Sequence, residues 1–495
     1  MTDYSSHARP DHMSPEEFRH YGHKTVDWIA DYWAGIESLP VLSQAYPGEV
    51  RAALPKHPPE HPEPFSALLE DLDHVILPGI THWQHPRFFG YFPANSSGPA
   101  VLGELLCAGL GVQGMLWLTS PACTELEQHV LDWLAELLGL PAHFQSTGTG
   151  GGVIQDSASS ATLVALVAAL HRVSGGLARK HGTRGRYTLY ASTEAHSSVT
   201  KAAVLAGLGE DAVRLLPIDR RSGGLEPDAL MQAIQDDRAA GLEPALVVAT
   251  VGTTSTTAID PLRDIGEICS RKALWLHIDA AYAGVSAICP ELRWINDGIE
   301  YADSYATNPH KWLLTNFDCD AFWVRDKAAL MDALSIHPEY LRNSASESGA
   351  VIDYRDWQVP IGRRFRALKL WAVMRWYGAQ GLRGYIREQI NLAAQFAALV
   401  GQDERFEIPA PHPLALVTFR LRSDGDGTDV DAQNMALMNA VNADGRIFIT
   451  HTKVGGKLTL RLCVGSPMTE RRHVEEAWII ICEAATEVQR VREHY

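Results

Sequence analysis

The chain has 495 residues, enough for a large core domain with one or two smaller ones. Its 46% hydrophobic and 21% charged residues exclude a disordered polar chain, and a formal charge of −16 without a Lys/Arg stripe argues against nucleic acid as a partner. The seven cysteines are scattered, odd in number and lack metal-ligand spacing, so they read as buried thiols of a reducing, cytoplasmic compartment and no metal is expected. Met1 to Met13 lacks an apolar stretch, and the longest apolar run, Ala161 to Leu170, is about half the ~20 residues of a membrane span.

Ser14-Pro15-Glu16-Glu17 predicts a helix start, with Ser14 as N-cap, Pro15 in the first turn and Glu17 closing a capping box. Phe18, Tyr21, Trp28, Ile29 and Tyr32 then fall on one helical face that needs a partner surface. Seven prolines between Leu39 and Pro64 predict an extended arm, so residues 1–97 form a separate N-terminal segment. From 98 to 371, strand-like runs at Thr188 to Ala191, Arg214 to Ile218, Leu246 to Thr250, Leu274 to Ile278 and Asp303 to Thr307 alternate with helical patterns. That alternation predicts an α/β domain with a mainly parallel, helix-covered sheet, whose site residues lie at the carboxyl ends of strands. A basic amphipathic helix from Arg363 to Tyr377 and strands such as Leu458 to Cys463 predict a small α+β domain over 372–495.

Four features carry chemistry. Gly148 to Gly152 leads through Ser157-Ala158-Ser159 into an apolar helix, and small residues entering a helix expose N–H groups and hydroxyls that suit a phosphate. An ordinary Gly-rich turn with serine caps explains that stretch equally well, and its spacing matches no nucleotide-binding motif. His196 follows a strand and can stack on a planar ligand, although a structural histidine is the plainer reading. Asp279 ends the apolar strand Leu274 to Ile278, where a carboxylate can keep a pyridine nitrogen protonated; alone it is a turn-capping Asp, and Ala281 leaves room for a flat ring. Lys311 lies beside His310 after Ser304 to Thr307, and apolar surroundings free its amine for imine formation. Alone it is a surface lysine. The order of phosphate cradle, stacking His, carboxylate and lysine, each after a strand of one α/β unit, changes that balance.

Together these residues resemble the group II pyridoxal phosphate (PLP) decarboxylases of fold type I, most closely the aromatic-L-amino-acid decarboxylase branch. The specific stretches are Pro121 to Glu127, Glu194 to Val199, His277 to Gly284, Asn308 to Leu313 and Gly362-Arg363-Arg364-Phe365-Arg366. The resemblance implies that Lys311 holds PLP as an internal aldimine, Asp279 binds the ring nitrogen and His196 stacks on the ring. It implies Ala158, Ser159 and Asn308 at the phosphate, Thr250, Ala281 and His310 lining the cofactor, and Tyr340 on a catalytic loop as the proton donor to Cα. It also implies a homodimer, with the N-terminal arm packed on the partner and each site completed by residues near Gln113 and Met115 of the other chain.

For the substrate, the resemblance points to Trp83, Tyr91, Phe92 and Ala94, whose aromatic members suit a flat ring. His85 to Phe89 also resembles the branch acting on acidic amino acids. Ala94 stands where animal members carry Thr near a catechol, and Gly362 matches a glycine that accompanies indolic substrates in plant members. The expected reaction converts tryptophan, 5-hydroxytryptophan, tyrosine, dopa or phenylalanine to the amine and CO2. Aromatic aldehyde synthases of the same family differ at the loop tyrosine or the stacking His, and this chain keeps Tyr340 and His196. The alternative outside enzymology is an inactive PLP-binding scaffold or regulator.

Overall fold

Ser14 accepts the Glu17 amide and Glu17 returns a bond to the Ser14 N–H, so the first helix, Pro15–Gly35, opens on the expected capping box. No residue of that helix is buried. It is held by local contacts such as Trp28 Nε1 donating to Asp73 Oδ1 at 2.6 Å and the stacked rings of Trp28 and Tyr32. The computed structural model of the chain describes residues 12–183, 186–336, 351–422 and 429–493.

Behind the arm lies a seven-stranded sheet: β1 (Gly151–Gln155), β2 (Tyr187–Ser192), β3 (Val213–Leu216), β4 (Glu243–Thr250), β5 (Trp275–Asp279), β6 (Ser304–Thr307) and β7 (Asp320–Val324). Their spatial order is β1-β7-β6-β5-β4-β2-β3, and β7 alone runs against the others. Nearly continuous burial of β4 and β5 fits a sheet covered on both faces. Alternate residues divide between two cores: Leu276, Ile278, Tyr305 and Trp323 on one side, and Trp275, Ala306 and Phe322 against the helix Ala158–Val173 on the other.

All five expected parallel strands are present, within a few residues of their predicted bounds. Strands β1 and β7 were not anticipated: Gly151 and Gly152, read as part of a turn, begin β1. They are glycine for steric reasons, since a Cβ on Gly152 would stand 2.7 Å from Trp323 Nε1. The helix predicted from Arg363 starts only at Ala367, because Arg363 is drawn into the interior by a charge partner. It then runs to Gly401 across the expected boundary at 371, and the helical backbone breaks instead at Gly378 (φ 59°). Beyond it, β8 (Phe406–Glu407), β9 (Leu416–Leu421), β10 (Thr450–Val454) and β11 (Lys457–Cys463) form an antiparallel sheet in the order β10-β11-β9-β8.

The carboxyl ends of β1, β4, β5 and β6 and the start of β7 meet at one edge of the large sheet, and the candidate residues sit there.

Candidate active site

Lys311 lies in a single helical turn, Pro309–Trp312, that follows β6, and its N–H donates to Asn308 O at 2.9 Å. His310 and Trp312 are buried on either side, while Lys311 itself is half-buried. Burial lowers the affinity of its amine for a proton, and the carboxyls of Asp279 and Asp320 oppose that effect. A lysine in this setting has its neutral, nucleophilic form within reach. Its Nζ stands 5.6 Å from the ring centroid of Phe92. Phe92 stacks on Tyr282 (3.8 Å, 8°), and Tyr282 stacks on Trp312 (4.8 Å, 13°). The lysine head therefore emerges beside an aromatic wall rooted in its own helical turn.

The segment carrying Phe92 is fastened to the lysine segment by Asn95. The Asn95 N–H donates to His310 O, its Oδ1 accepts from the Leu314 N–H, and its Nδ2 donates to Gly465 O. Ser97 adds a bond to Leu314 O at 2.6 Å. Sequence reasoning passed over Asn95 because its partners lie up to 370 residues away. Ala94 is placed by its neighbours, its carbonyl accepting from Gln84 Nε2 at 2.6 Å. Trp83 and Tyr91 stack on each other at 5.6 Å and, with Phe88 and Phe448, form a more exposed aromatic cluster.

Asp279 closes β5, and its Oδ1 accepts the Ala281 N–H at 3.1 Å. Thr250 closes the neighbouring β4 directly opposite it. His196 Nδ1 accepts the Ser198 N–H at 3.2 Å, which leaves the proton of the neutral ring on Nε2. Burial lowers its pKa, Asp279 pulls it back up and Lys311 pushes it down, so His196 shares an electrostatic environment with both. His310 is held likewise: Nδ1 accepts the Cys319 N–H at 2.9 Å, and burial together with Lys311 brings its pKa down to about 4. Ala158 and Ser159 are the first residues of the helix Ala158–Val173, whose cap is Ser157.

Buried polar atoms normally have hydrogen-bond partners. Thr250 Oγ1, Thr307 Oγ1, Asn308 Oδ1 and both carboxyl oxygens of Asp320 have none among the described residues. All lie at the strand ends around Lys311. With a reactive amine, a carboxylate and a helix N-terminus nearby, they fit a compact ligand that brings an aldehyde, a ring nitrogen and an anionic group.

Gln113 and Gly362 meet at Arg363, and Met115 lies close by on Arg355. Gln113 Oε1 accepts the Arg363 N–H at 2.7 Å, a Cβ on Gly362 would stand 3.1 Å from Gln113 Nε2, and Met115 O accepts the Arg355 N–H. Arg363 and Glu127 are both fully buried and paired at 2.6 Å, so the stretches Pro121 to Glu127 and Gly362 to Arg366 meet in one ion pair. Arg366 in turn clasps Asp318 at 3.0 and 3.1 Å, just before the Cys319 that holds His310. Tyr340 lies outside the described residues.

Comparison with known proteins gives this arrangement a family. Residues 47–422 match the model of the pyridoxal-dependent decarboxylase conserved domain. The chain is 49% identical to phenylacetaldehyde synthase of Arabidopsis thaliana (96% of this chain, 97% of the relative) and 48% identical to tyrosine decarboxylase 2 of Narcissus pseudonarcissus (96% and 95%). It superposes on the crystal structure of Oryza sativa TDC with PLP and tryptamine with a TM-score of 0.93 at 42% identity, covering 97% of this chain and 99% of that one. The chain thus belongs to the pyridoxal-dependent decarboxylase family, with the fold of its type I members, PLP as its cofactor and the activity of a carboxy-lyase.

Proposed function

We propose that this protein decarboxylates aromatic L-amino acids to the corresponding amines and CO2. The observation that carries the substrate class is the stacked wall of Phe92, Tyr282 and Trp312 beside Lys311 Nζ. Flat apolar rings gain from burial and offset stacking against such a surface. Relatives named for tyrosine and tryptophan decarboxylation support the reading.

When bound, PLP supplies an aldehyde that condenses with amines and a ring that accepts the electron pair released when the bond from Cα to the carboxylate breaks. The chain's own residues do the rest. Lys311 would offer the amine that holds the cofactor, Asp279 would keep a proton on the ring nitrogen, and Thr250 and Ala281 would line the cofactor. His196 would stack on the ring as a neutral imidazole, adding no positive charge to compete with that proton. Ala158 and Ser159 present the helix N-terminus to the phosphate, with Asn308 opposite, while His310 backs the lysine. Tyr340 would be the residue that supplies the proton Cα takes up. Trp83, Tyr91, Phe92 and Ala94 line the side-chain pocket, and Gln113, Met115 and Gly362 complete it.

The protein acts as a homodimer in this reading. The arm helix Pro15–Gly35 buries none of its own residues, and Leu102, Leu105, Leu106 and Leu110 of the helix Gly98–Leu110 are exposed, leaving two apolar faces for a second copy. Seven free cysteines support a cytoplasmic location, while no helix among the described residues is long and apolar enough to cross a membrane.

Incubation with PLP and a panel of Trp, 5-hydroxy-Trp, Tyr, dopa and Phe tests the substrate class. CO2 with stoichiometric amine is expected, and a panel without any amine product refutes it. The 49% identity to phenylacetaldehyde synthase favours one second reading, aldehyde formation with ammonia and peroxide, and peroxide matching CO2 under air decides for it. A PLP-binding scaffold predicts cofactor absorption without turnover.

A further inference from the structure

Asp320 opens β7 at the point where the sheet reverses direction. It pairs with Gln155 at the end of β1, and the next residue, Ala321, pairs with Thr307 at the end of β6. By strand alternation its side chain shares a sheet face with Phe322, whose ring meets His277 at 6.1 Å, and His277 shares that face with Asp279 on β5. Strand β6 runs between β5 and β7, so the Lys311 segment that leaves β6 emerges flanked by Asp279 and Asp320.

Asp320 is fully buried, and neither carboxyl oxygen has a hydrogen-bond partner among the described residues. An isolated buried carboxylate is costly, so this group must hold a proton or answer a cation. The groups that act on it are Asp279 and Asp156, which both disfavour its charge, and Lys311, which favours it. Cys319 adjoins it in sequence, and His196 and His310 both act on or feel Lys311. Of the groups that act on Asp320, Lys311 is the basic one.

We propose that Asp320 is the proton-exchange partner of Lys311, taking the proton that the ammonium must shed before its nitrogen attacks the cofactor aldehyde. The ammonium gives one proton to the carboxylate, leaving an amine and a carboxylic acid. The Lys311 nitrogen then bonds the aldehyde carbon, and its two remaining hydrogens depart with the aldehyde oxygen as water. A C=N bond remains and Asp320 keeps the first proton, so no oxidant or reductant is needed. The flexible four-carbon stem gives the Lys311 head, now 5.6 Å from the Phe92 ring centroid, the freedom this exchange requires. Asp320 is thus a positioning residue that sets when the lysine is reactive, and this role rests on the reading of Lys311 as the cofactor lysine.

The test follows covalent attachment of PLP to cofactor-free protein from neutral to alkaline pH, trapped by borohydride and located by peptide mass spectrometry, in wild type and Asp320→Asn. The variant removes the carboxylate and leaves Asp279 and Asp156 in place. The expected result is trapping at Lys311 in both proteins, with the pH midpoint in the variant moved about one unit or more toward acid, because the ammonium has lost a stabilising neighbour. An unmoved or alkaline-shifted midpoint overturns the proposal. The wild type supplies a second readout: its infrared difference spectrum on PLP loading should gain a protonated-carboxyl band that Asp320→Asn or Asp320→Ser lacks, and no gain overturns the proposal even if the variants do not fold. Trapping at another lysine would instead overturn the assignment of Lys311.

Discussion

Replacing Arg363 with Met should destabilise the protein far more than removal of an arginine usually does. The Arg363 Nη2 donates to Glu127 Oε1 at 2.6 Å and to Ile154 O at 3.0 Å, and Nε donates to Gln358 Oε1 at 2.9 Å. Its guanidinium also lies 4.6 Å from the Tyr354 ring centroid. Met fills much of the space but leaves Glu127, wholly buried, with the Ile154 N–H as its remaining donor among the described residues. Removing one member of such a pair costs about 3–5 kcal/mol, because the other charge is left uncompensated in the interior. Adding Glu127→Gln removes that charge while keeping an oxygen for Ile154, and should return about half of the loss. Urea unfolding of the PLP-loaded protein, followed by tryptophan fluorescence and far-ultraviolet circular dichroism, measures both effects. A double variant no more stable than Arg363→Met would refute the reasoning, since the penalty would then come from lost packing and not from stranded charge.

Further outcomes follow from the same geometry. Lys311→Ala should carry no PLP after borohydride reduction, and PLP still attached to the chain would refute the assignment. Phe92→Leu removes a ring face on which a flat substrate would stack, an interaction worth about 0.5–1.5 kcal/mol, and should lower kcat/KM for aromatic substrates about two- to tenfold; unchanged kcat/KM would take Phe92 out of the pocket. His277 is fully buried, and burial lowers its pKa from 6.5 to about 4, so between those values the unfolded chain binds the extra proton. Its contribution is therefore complete above about pH 6.5 and falls by about 3 kcal/mol as pH drops toward 4. Stability curves against pH for wild type and His277→Gln test this, and equal acid sensitivity in the two would contradict it.

What the sequence made legible follows from the range of the interactions involved. The central parallel strands β4 and β5 were readable because both faces of such a sheet are covered, so each is a near-continuous buried run. The helix start at Ser14 was readable because a capping box is closed within four residues. Lys311, Asp279 and His196 stand out by their positions after strands, and the fold brings these candidates into one electrostatic neighbourhood. Strands β1 and β7 escaped notice because β1 begins with glycines chosen for close approach of Trp323, and β7 opens with a charged residue. Arg363 misled for a related reason: in a basic, helix-like run, one arginine turns inward to a glutamate 236 residues away.

The same contrast explains why the candidate chemistry gathers where the sheet changes direction. Parallel strands deliver Thr250, Asp279 and Lys311 to one edge, but each arrives with its backbone already committed to the ladder or the following turn. The reversed strand β7 begins at that same edge, so its first residue, Asp320, joins them from the opposite chain direction. Just upstream, Cys319 and Asp318 tie the same stretch to His310 and to Arg366. A shift of β7 by one residue would turn Asp320 to the other face, put Ala321 in its place and move the support of His310. The fully buried tryptophans on either side of the lysine edge, Trp312 and Trp323, oppose such a slip by packing. On the proposed pairing of Asp320 with Lys311, substitutions that loosen β7 should alter cofactor attachment before they unfold the protein.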